Sequence, residues 1–216
     1  MVNEQFIIET TAKILALMVA IIGHEIMHGY VAYRYGDDTA KNAGRLSINP
    51  LVHVDLVGTI LLPAVLFFSG APFLFGWAKP VPIYMHRVIQ NGGYKGAINV
   101  ALAGIAYNFT LAIVASMLLG VLSQPTSYFE LFLVFFVIQT LVFNVVLGIF
   151  NLYPIPPLDG SQALTYFALW NRWDGIVRFY ESIERYGMVI LLLLIATPLS
   201  EYFFAPIGYI VNALLP

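Results

Sequence analysis

The stretch Gly-His-Glu-Ile-Met-His-Gly at positions 23–29 closes a long apolar run and decides how this chain can fold. Residues four apart in an α-helix lie one turn apart on the same face, so His24 and His28 can direct two imidazoles at one metal ion. Glu25 lies beside that pair. The preceding residues, 14–22, are all apolar. A Glu and two His at the end of such a run are costly in lipid and indicate a functional site.

The pattern H-E-x-x-H is typical of zinc metallopeptidases, in which two His bind the metal and the Glu acts as general base. The alternative is a chance pattern on the solvated face of a soluble helix, but the neighbouring sequence is too apolar to form such a face. We predict a first helix from about Phe6 to about Tyr33. The polar residues from Gly36 begin about ten residues after Ile26, or roughly 15 Å along a helix. The site should therefore lie inside the membrane, toward the C-terminal end of this helix.

The composition indicates an integral membrane protein. The chain has 216 residues, of which 60% are hydrophobic and only 10% are charged. We expect a single intramembrane domain over 1–216, with a core at about 6–165 and C-terminal helices at 183–216. The net charge of −2 gives no indication of a nucleic-acid partner. Because the chain has no cysteine, disulfides and thiolate ligands are excluded, and a metal must be held by His, Asp, Glu or carbonyl oxygen.

The apolar segments predict an all-α polytopic membrane protein with about five to six membrane helices. After the first helix, full spans are expected at Ala97–Leu122 and Leu131–Leu152. Two shorter apolar segments follow, at Tyr186–Thr197 and Glu201–Leu215. The last segment is either a sixth span or an interfacial helix.

A re-entrant or extended segment is predicted between the first helix and the helix that carries Gly104-x-x-x-Asn108. The apolar segment 56–70 is short for a full span. Residues 75–83 contain prolines at alternate positions, which favours an extended backbone. An extended segment near a protease site can pair with a substrate strand, and an ordinary rigid loop is the alternative. In the polar connector before it, a structural hydrogen bond is favoured for His53 over a ligand role.

Asp159 follows three prolines that end the second of those full spans. It is either the N-cap of a short helix over 161–170 or a third metal ligand. The residues alone leave both interpretations open.

The basic residues predict the orientation in the membrane. Of ten Lys and Arg, six lie within 34–95 and three within 172–185. The positive-inside rule places both regions in the cytoplasm. The N-terminus is then outside, the first helix runs inward, and the metal site lies toward the cytoplasmic face.

Several motifs together resemble the site-2 protease family of intramembrane zinc metalloproteases. They are His24–His28, the Gly104–Asn108 pattern, and Asn151 followed by Leu158-Asp159-Gly160. The stretches 44–50 and 75–82 are similar to the compact prokaryotic branch, which has no PDZ or CBS domain. Ile105 departs from the family, whose members often have Pro at this position.

The resemblance implies fold, cofactor and site residues. It implies one zinc ion per chain, held by His24, His28 and Asp159. It implies three catalytic residues, Glu25 as the base and Asn108 and Asn151 as polar positions that steady the substrate or the oxyanion. The expected activity is regulated cleavage of membrane-spanning protein substrates within the bilayer of a prokaryotic cell. The sequence names neither the substrate nor the oligomeric state.

Three other functions compete with this hypothesis. The first is a membrane metalloprotease that cuts soluble or prenylated chains. The second is a polytopic metal-binding protein or metal transporter, for which we would expect several intramembrane acids along a path. The third is an inactive binding protein, against which the intact Glu25 argues.

Overall fold

The computed structural model describes residues 4–70, 75–122 and 124–216, and they form a helical protein without β-strands. The α-helices within this part of the chain are α1 (Glu4–Arg34), α2 (Thr39–Asn42), α3 (Leu62–Phe68), α4 (Met85–Leu119), α5 (Tyr128–Leu152), α6 (Asp159–Trp170), α7 (Asp174–Ile183), α8 (Gly187–Ala196) and α9 (Leu199–Leu214). Pro50–His53 and Glu184–Tyr186 are 3₁₀ turns, and Leu56–Leu61 is a π-helical turn. The predicted all-α class is confirmed.

Three of the described helices, α1, α4 and α5, are long and apolar enough to cross a membrane. A fourth span is possible if 174–196 and α9 count as one, although they meet at a bend of 81°. The protein is therefore an all-α membrane protein. The count of five to six membrane helices stays a prediction, because α8 and α9 are individually shorter than a span.

The core lies where α1, α4 and α5 pack on one another. On α1, one row of residues spaced four apart is buried, and it consists of Ala12, Ala16, Ala20, His24, His28 and Ala32. Residues at this spacing form a ridge on a helix surface. Small side chains allow helix backbones to approach closely, which is how helices associate in lipid. The two histidines continue this alanine row and so point into the same helix interface.

The helix α4 begins earlier than the sequence predicted. It starts at Met85 rather than at Ala97, and its helical geometry is interrupted at Gly93. Gly93 has φ of +62°, a conformation that costs glycine little and other residues more. Residues 85–92, which precede this break, include polar residues and glycine and resemble a loop in the sequence. They are helical in the structure. The break therefore separates an amphipathic first section from the apolar section that reaches the core.

The segment between α1 and α4 runs out and back. The chain passes through the π-helical turn and α3, and residues 75–84 return along it in an extended conformation. The Lys79 amide donates to the His53 carbonyl at 2.9 Å, and the Trp77 amide donates to the Gly58 carbonyl at 3.1 Å. The Thr59 hydroxyl donates to the Trp77 carbonyl at 2.8 Å. This geometry agrees with the re-entrant and extended segment that the sequence predicted.

Asp37 fastens the end of that extended segment to the first helix. It is fully buried, and its Oδ2 accepts a hydrogen bond from the Tyr84 amide at 2.6 Å. Its Oδ1 accepts from the amide and the hydroxyl of Thr39. One carboxylate therefore holds the start of α2 and the start of α4 together.

We predict that Asp37→Ala lowers the free energy of unfolding by about 2–4 kcal/mol, because it removes a fully buried carboxylate that accepts hydrogen bonds from Tyr84 and Thr39. Thermal unfolding in detergent measures the loss, and hydrogen exchange should show faster exchange at Tyr84. Asp38→Ala is the control. Asp38 is half-exposed and its ion pair with Arg87, at 2.7 Å, is screened by solvent, so the change should be far smaller. Equal effects of the two substitutions would contradict this role for Asp37.

Candidate metal centre

Three potential metal-ligand atoms converge where α1 meets the start of α6. His24 Nε2 lies 3.0 Å from His28 Nε2 and 3.0 Å from Asp159 Oδ2. His28 Nε2 lies 3.2 Å from the same carboxylate oxygen. Both histidines are buried and Asp159 is mostly buried. Within the described ranges, these residues form the one group of His, Asp and Glu whose ligand atoms lie close enough to share a metal ion.

The hydrogen bonds behind the rings show which nitrogens carry protons. His24 Nδ1 lies 2.6 Å from Asn108 Oδ1, and His28 Nδ1 lies 2.7 Å from the Val100 carbonyl oxygen. Both partners are acceptors, so each Nδ1 donates its proton. A neutral imidazole has one N–H, which leaves a lone pair on each Nε2. The lone pairs of both rings therefore face each other and the carboxylate.

A cation at its centre would stabilise such a cluster of acceptors. Asp159 Oδ2 is buried and has no hydrogen-bond donor. Two imidazole nitrogens and a carboxylate oxygen are a common ligand set for zinc in enzymes. Tetrahedral zinc with bonds of about 2.0–2.1 Å would place its ligand atoms about 3.3 Å apart. The observed separations of 3.0–3.2 Å are close to that value, so the donor set fits the metal.

The N-cap interpretation of Asp159 does not match the structure. Asp159 is the first residue of α6, Leu158 occupies the cap position, and no side chain caps this helix. The carboxylate points toward the histidines instead.

Glu25 lies beside the three ligand atoms but is outside their cluster. One of its oxygens, Oε2, accepts a hydrogen bond of 3.0 Å from the Val81 amide in the extended segment. Glu25 also lines a cavity of about 660 Å³ that opens onto His24, His28 and Asp159. A carboxylate held by one oxygen in this way keeps its second oxygen available for proton transfer at the cavity.

The two asparagines that were predicted to be catalytic lie in different parts of the site. Asn151 lines the cavity, and its Nδ2 donates to the Leu147 carbonyl at 3.1 Å. Asn108 is fully buried behind His24 and is absent from the cavity wall. The predicted catalytic roles of both stay predictions, but the hydrogen bonds of Asn108 support a positioning role.

Two polar side chains of the cavity wall were not identified in the sequence. Gln162 and Tyr166 line the cavity together with Asp159. They lie three and seven residues after Asp159 on α6, which is the spacing of one helix face, and this spacing is the signal that could have found them. Burial raises the pKa of the Tyr166 phenol, as does the nearby charge of Glu184, so Tyr166 stays a proton donor at neutral pH.

His53 lies apart from this cavity. Its Nε2 contacts the Ser47 carbonyl oxygen at 2.8 Å, and its own carbonyl accepts from Lys79. These contacts agree with the structural hydrogen bond that the sequence favoured.

Gly104 makes room for the two histidines. A Cβ at this position would lie 2.5 Å from His24 Nδ1 and 2.5 Å from His28 Nε2. Such an approach is far inside van der Waals contact, so no larger residue fits without moving a ring. Close packing of α4 against the metal centre therefore depends on this glycine.

The fold and the site together define an all-α membrane protein with a candidate His-His-Asp metal centre and an adjacent carboxylate. Known proteins agree with that class. The chain is 35% identical over 197 residues to the “Putative zinc metalloprotease YwhC” of Bacillus subtilis, covering 89% of this chain and 84% of the relative. It is 28% identical to the similarly named Rip2 of Mycolicibacterium smegmatis, over 87% of this chain and 68% of the relative.

A third relative, the similarly named Rip3 of Mycobacterium tuberculosis, is 30% identical over 86% of this chain and 38% of its own length. No protein-family model and no solved structure matches the chain. The chain belongs to the site-2 protease-like family of zinc metalloproteases, and the resemblance in its motifs is thereby confirmed. Zinc is accordingly its cofactor.

We predict that Gly104→Ala weakens zinc binding roughly tenfold, since overpacking costs about 1–3 kcal/mol and 1.4 kcal/mol corresponds to a factor of ten. Competition with a zinc chelator measures the affinity. Gly96→Ala is the matched control on the same helix, because the nearest atoms to its added Cβ lie 3.4 Å away. Unchanged affinity in Gly104→Ala would contradict the steric argument.

Proposed function

We propose that this protein is an intramembrane zinc endopeptidase that cleaves membrane-spanning protein substrates within the bilayer. His24, His28 and Asp159 would be the zinc ligands, and Glu25 the general base. The observation that carries the proposal is the convergence of the Asp159 carboxylate with two histidine Nε2 atoms on α1, an apolar helix long enough to span a membrane. We further propose that residues 1–216 form one intramembrane domain, with α9 packed on α5.

The mechanism follows from the positions of these side chains. Zinc, when bound, supplies a Lewis acid that polarises the scissile carbonyl and makes water more acidic. Glu25 would take the proton of the attacking water at its second oxygen and later return it to the leaving amine. The Val81 amide holds the other oxygen and so keeps the base in place. Tyr166 and the second N–H of the Asn151 amide are donors at the cavity that can contact the substrate.

The extended segment 75–84 supports the binding of a peptide backbone. The amides of Trp77, Lys79 and Val81 are directed into the protein. Because neighbouring residues of an extended chain point in opposite directions, the carbonyls of Ala78 and Pro80 face the other way. Both residues line the cavity. An unwound substrate strand could donate its amides to these carbonyls, as in other complexes formed by strand addition.

The surroundings of the proposed metal centre favour a protease function over a transporter function. A transport path requires successive sites for the ion, whereas the described part of the chain contains a single ligand cluster. The cavity is also large for an ion, at about 660 Å³, and is bordered by aromatic side chains such as Phe75 and Phe150. This volume and lining suit a peptide. Cleavage of soluble or prenylated chains remains the alternative for a protease.

We predict that Glu25→Gln keeps zinc but slows cleavage by roughly 10²–10⁴-fold, because the amide preserves packing and cannot accept a proton. The test measures zinc content and cleavage of a tagged single-span protein with Gly and Pro in its membrane segment. His28→Ala is the comparison and should lose zinc and cleavage together.

Two results would contradict the proposal. Cleavage by Glu25→Gln at the wild-type rate would exclude Glu25 as the base. If both proteins leave every membrane-spanning test substrate uncut while zinc uptake into vesicles depends on His28 but not Glu25, the protein is a transporter.

We also propose that the N-terminus lies outside a prokaryotic cell and the metal centre faces the cytoplasm, on the strength of the basic residues at 34–95 and 172–185. The chain has no cysteine, so single substitutions can be labelled cleanly. In intact cells, an impermeant thiol reagent should label Gln124→Cys but not Asp38→Cys, although the reagent should reach both after lysis. Labelling of Asp38→Cys from outside would reverse the orientation.

A further inference from the structure

We propose that Asn144, which lies outside the cavity, is a positioning residue of the zinc centre. It would orient the amide of Asn108 and thereby select the tautomer of His24 that presents Nε2 to the metal. The inference rests on the proposed ligand set and adds to it a chain of hydrogen bonds from α5 through α4 to α1. Asn108 and Asn144 have no exposed surface, and His24 is 6% exposed.

His24 can bind zinc through Nε2 only if its ring proton is on Nδ1. If its proton were on Nε2, that atom would have no lone pair for a metal. Asn108 Oδ1, at 2.6 Å from Nδ1, can only accept a hydrogen bond and so holds the proton on Nδ1. If the amide of Asn108 were turned over, its Nδ2 would donate to Nδ1 and the ring proton would move to Nε2. The orientation of one amide therefore decides whether His24 can bind zinc.

Two acceptors hold the amide of Asn108 in this orientation. Asn108 Nδ2 donates to Asn144 Oδ1 at 2.8 Å and lies 3.3 Å from the Ala20 carbonyl oxygen. The contact with Asn144 is the shorter and supplies the stronger preference. Asn144 is itself oriented, because its Nδ2 donates to the Thr140 carbonyl at 2.8 Å. A backbone carbonyl can only accept, so the direction of the whole chain of hydrogen bonds is determined at Thr140.

His28 provides an internal comparison. Its Nδ1 donates directly to the Val100 carbonyl at 2.7 Å, and a backbone carbonyl cannot be reversed by side-chain rotation. The tautomer of His28 therefore depends on no side chain. Only His24 needs a side-chain amide, and Asn144 is the nearer of the two acceptors that orient that amide. The two zinc-binding rings should consequently respond differently to substitutions on α5.

Burial makes this dependence strong. Asn108 and Asn144 both have no exposed surface, so water cannot replace a lost partner. An unpaired amide in such an interior costs far more than one at a surface, and it would turn to find another partner. Residues that orient a metal-binding histidine typically change metal affinity 10–100-fold when substituted.

The experiment compares zinc affinity in three variants by chelator competition. Asn144→Leu removes the acceptor at similar volume and should weaken zinc binding about tenfold or more. Asn144→Asp should stay within about threefold of wild type, because either form of the carboxyl accepts from Asn108 and the protonated form favoured by burial also donates to Thr140. Thr140→Val is the matched control one turn away. It removes a buried hydroxyl that has no hydrogen-bond partner and leaves the carbonyl, so the affinity should not change.

Two outcomes would overturn the proposal. One is wild-type zinc affinity in Asn144→Leu. The other is an equal loss in Asn144→Asp and Asn144→Leu, since that would show that the site depends on the amide itself rather than on an acceptor for Asn108.

A second measurement identifies, first in the wild-type protein, which nitrogen of each histidine carries the proton. The chain has four histidines, so ¹⁵N-labelled imidazoles give a simple spectrum. Zinc-loaded wild-type protein should show two protected Nδ1–H signals, from His24 and His28, and Asn144→Leu should shift only the first. Metal bound through Nδ1 of His24 would overturn the inference. All of these measurements report on zinc rather than cleavage, so a failure of the protease proposal would appear separately, as zinc bound normally without proteolysis.

Discussion

The structure depends on three hydrogen-bond acceptors held about 3 Å apart in a buried site. Two imidazole nitrogens and one carboxylate oxygen repel one another unless a cation lies between them. Every neighbouring element contributes to this arrangement. The helix α1 provides the two rings, α6 begins with the carboxylate, and α4 holds both rings from behind.

On α4, the supporting groups share a spacing of four residues. The Val100 carbonyl accepts from one ring, Gly104 leaves space for both rings, and Asn108 accepts from the other. This row lies against the row of alanines and histidines on α1, so the interface between two membrane helices also determines the orientation of the proposed metal ligands. Small residues thus serve helix association and the metal centre at the same time.

Polar groups in an apolar interior persist when each has a partner. Glu25 is held by the Val81 amide, and the extended segment that provides this amide is in turn fastened by Asp37 and by the carbonyls of His53 and Gly58. The segment therefore links Glu25, the proposed base, to the polar connector at the end of α1. In a protease of this family, such a link would hold the base and a substrate strand on the same rigid support.

The amino-acid sequence by itself determined the class of protein, the long helices and the histidine pair of the candidate metal centre. The apolar segments and the H-E-x-x-H spacing are local properties, and helix periodicity alone brings His24 and His28 to one face. The ligand role predicted for Asp159 came from the resemblance, because its local sequence was equally compatible with a helix cap. The start predicted for α4 at Ala97 was wrong, because the helix begins at Met85 and its glycine break resembles a loop in the sequence.

Only the tertiary structure decided which groups form hydrogen bonds with the proposed ligands and with Glu25. Asn108 contacts His24 across 84 residues of chain, and Asn144 contacts Asn108 across 36. The donor to Glu25 is a backbone amide, which carries no mark in the sequence. The physical reason is that periodicity shows which residues share a face of one helix, whereas the helix that packs against that face is chosen by the shape and polarity of the whole core. The tautomer of a metal-binding histidine depends on that choice.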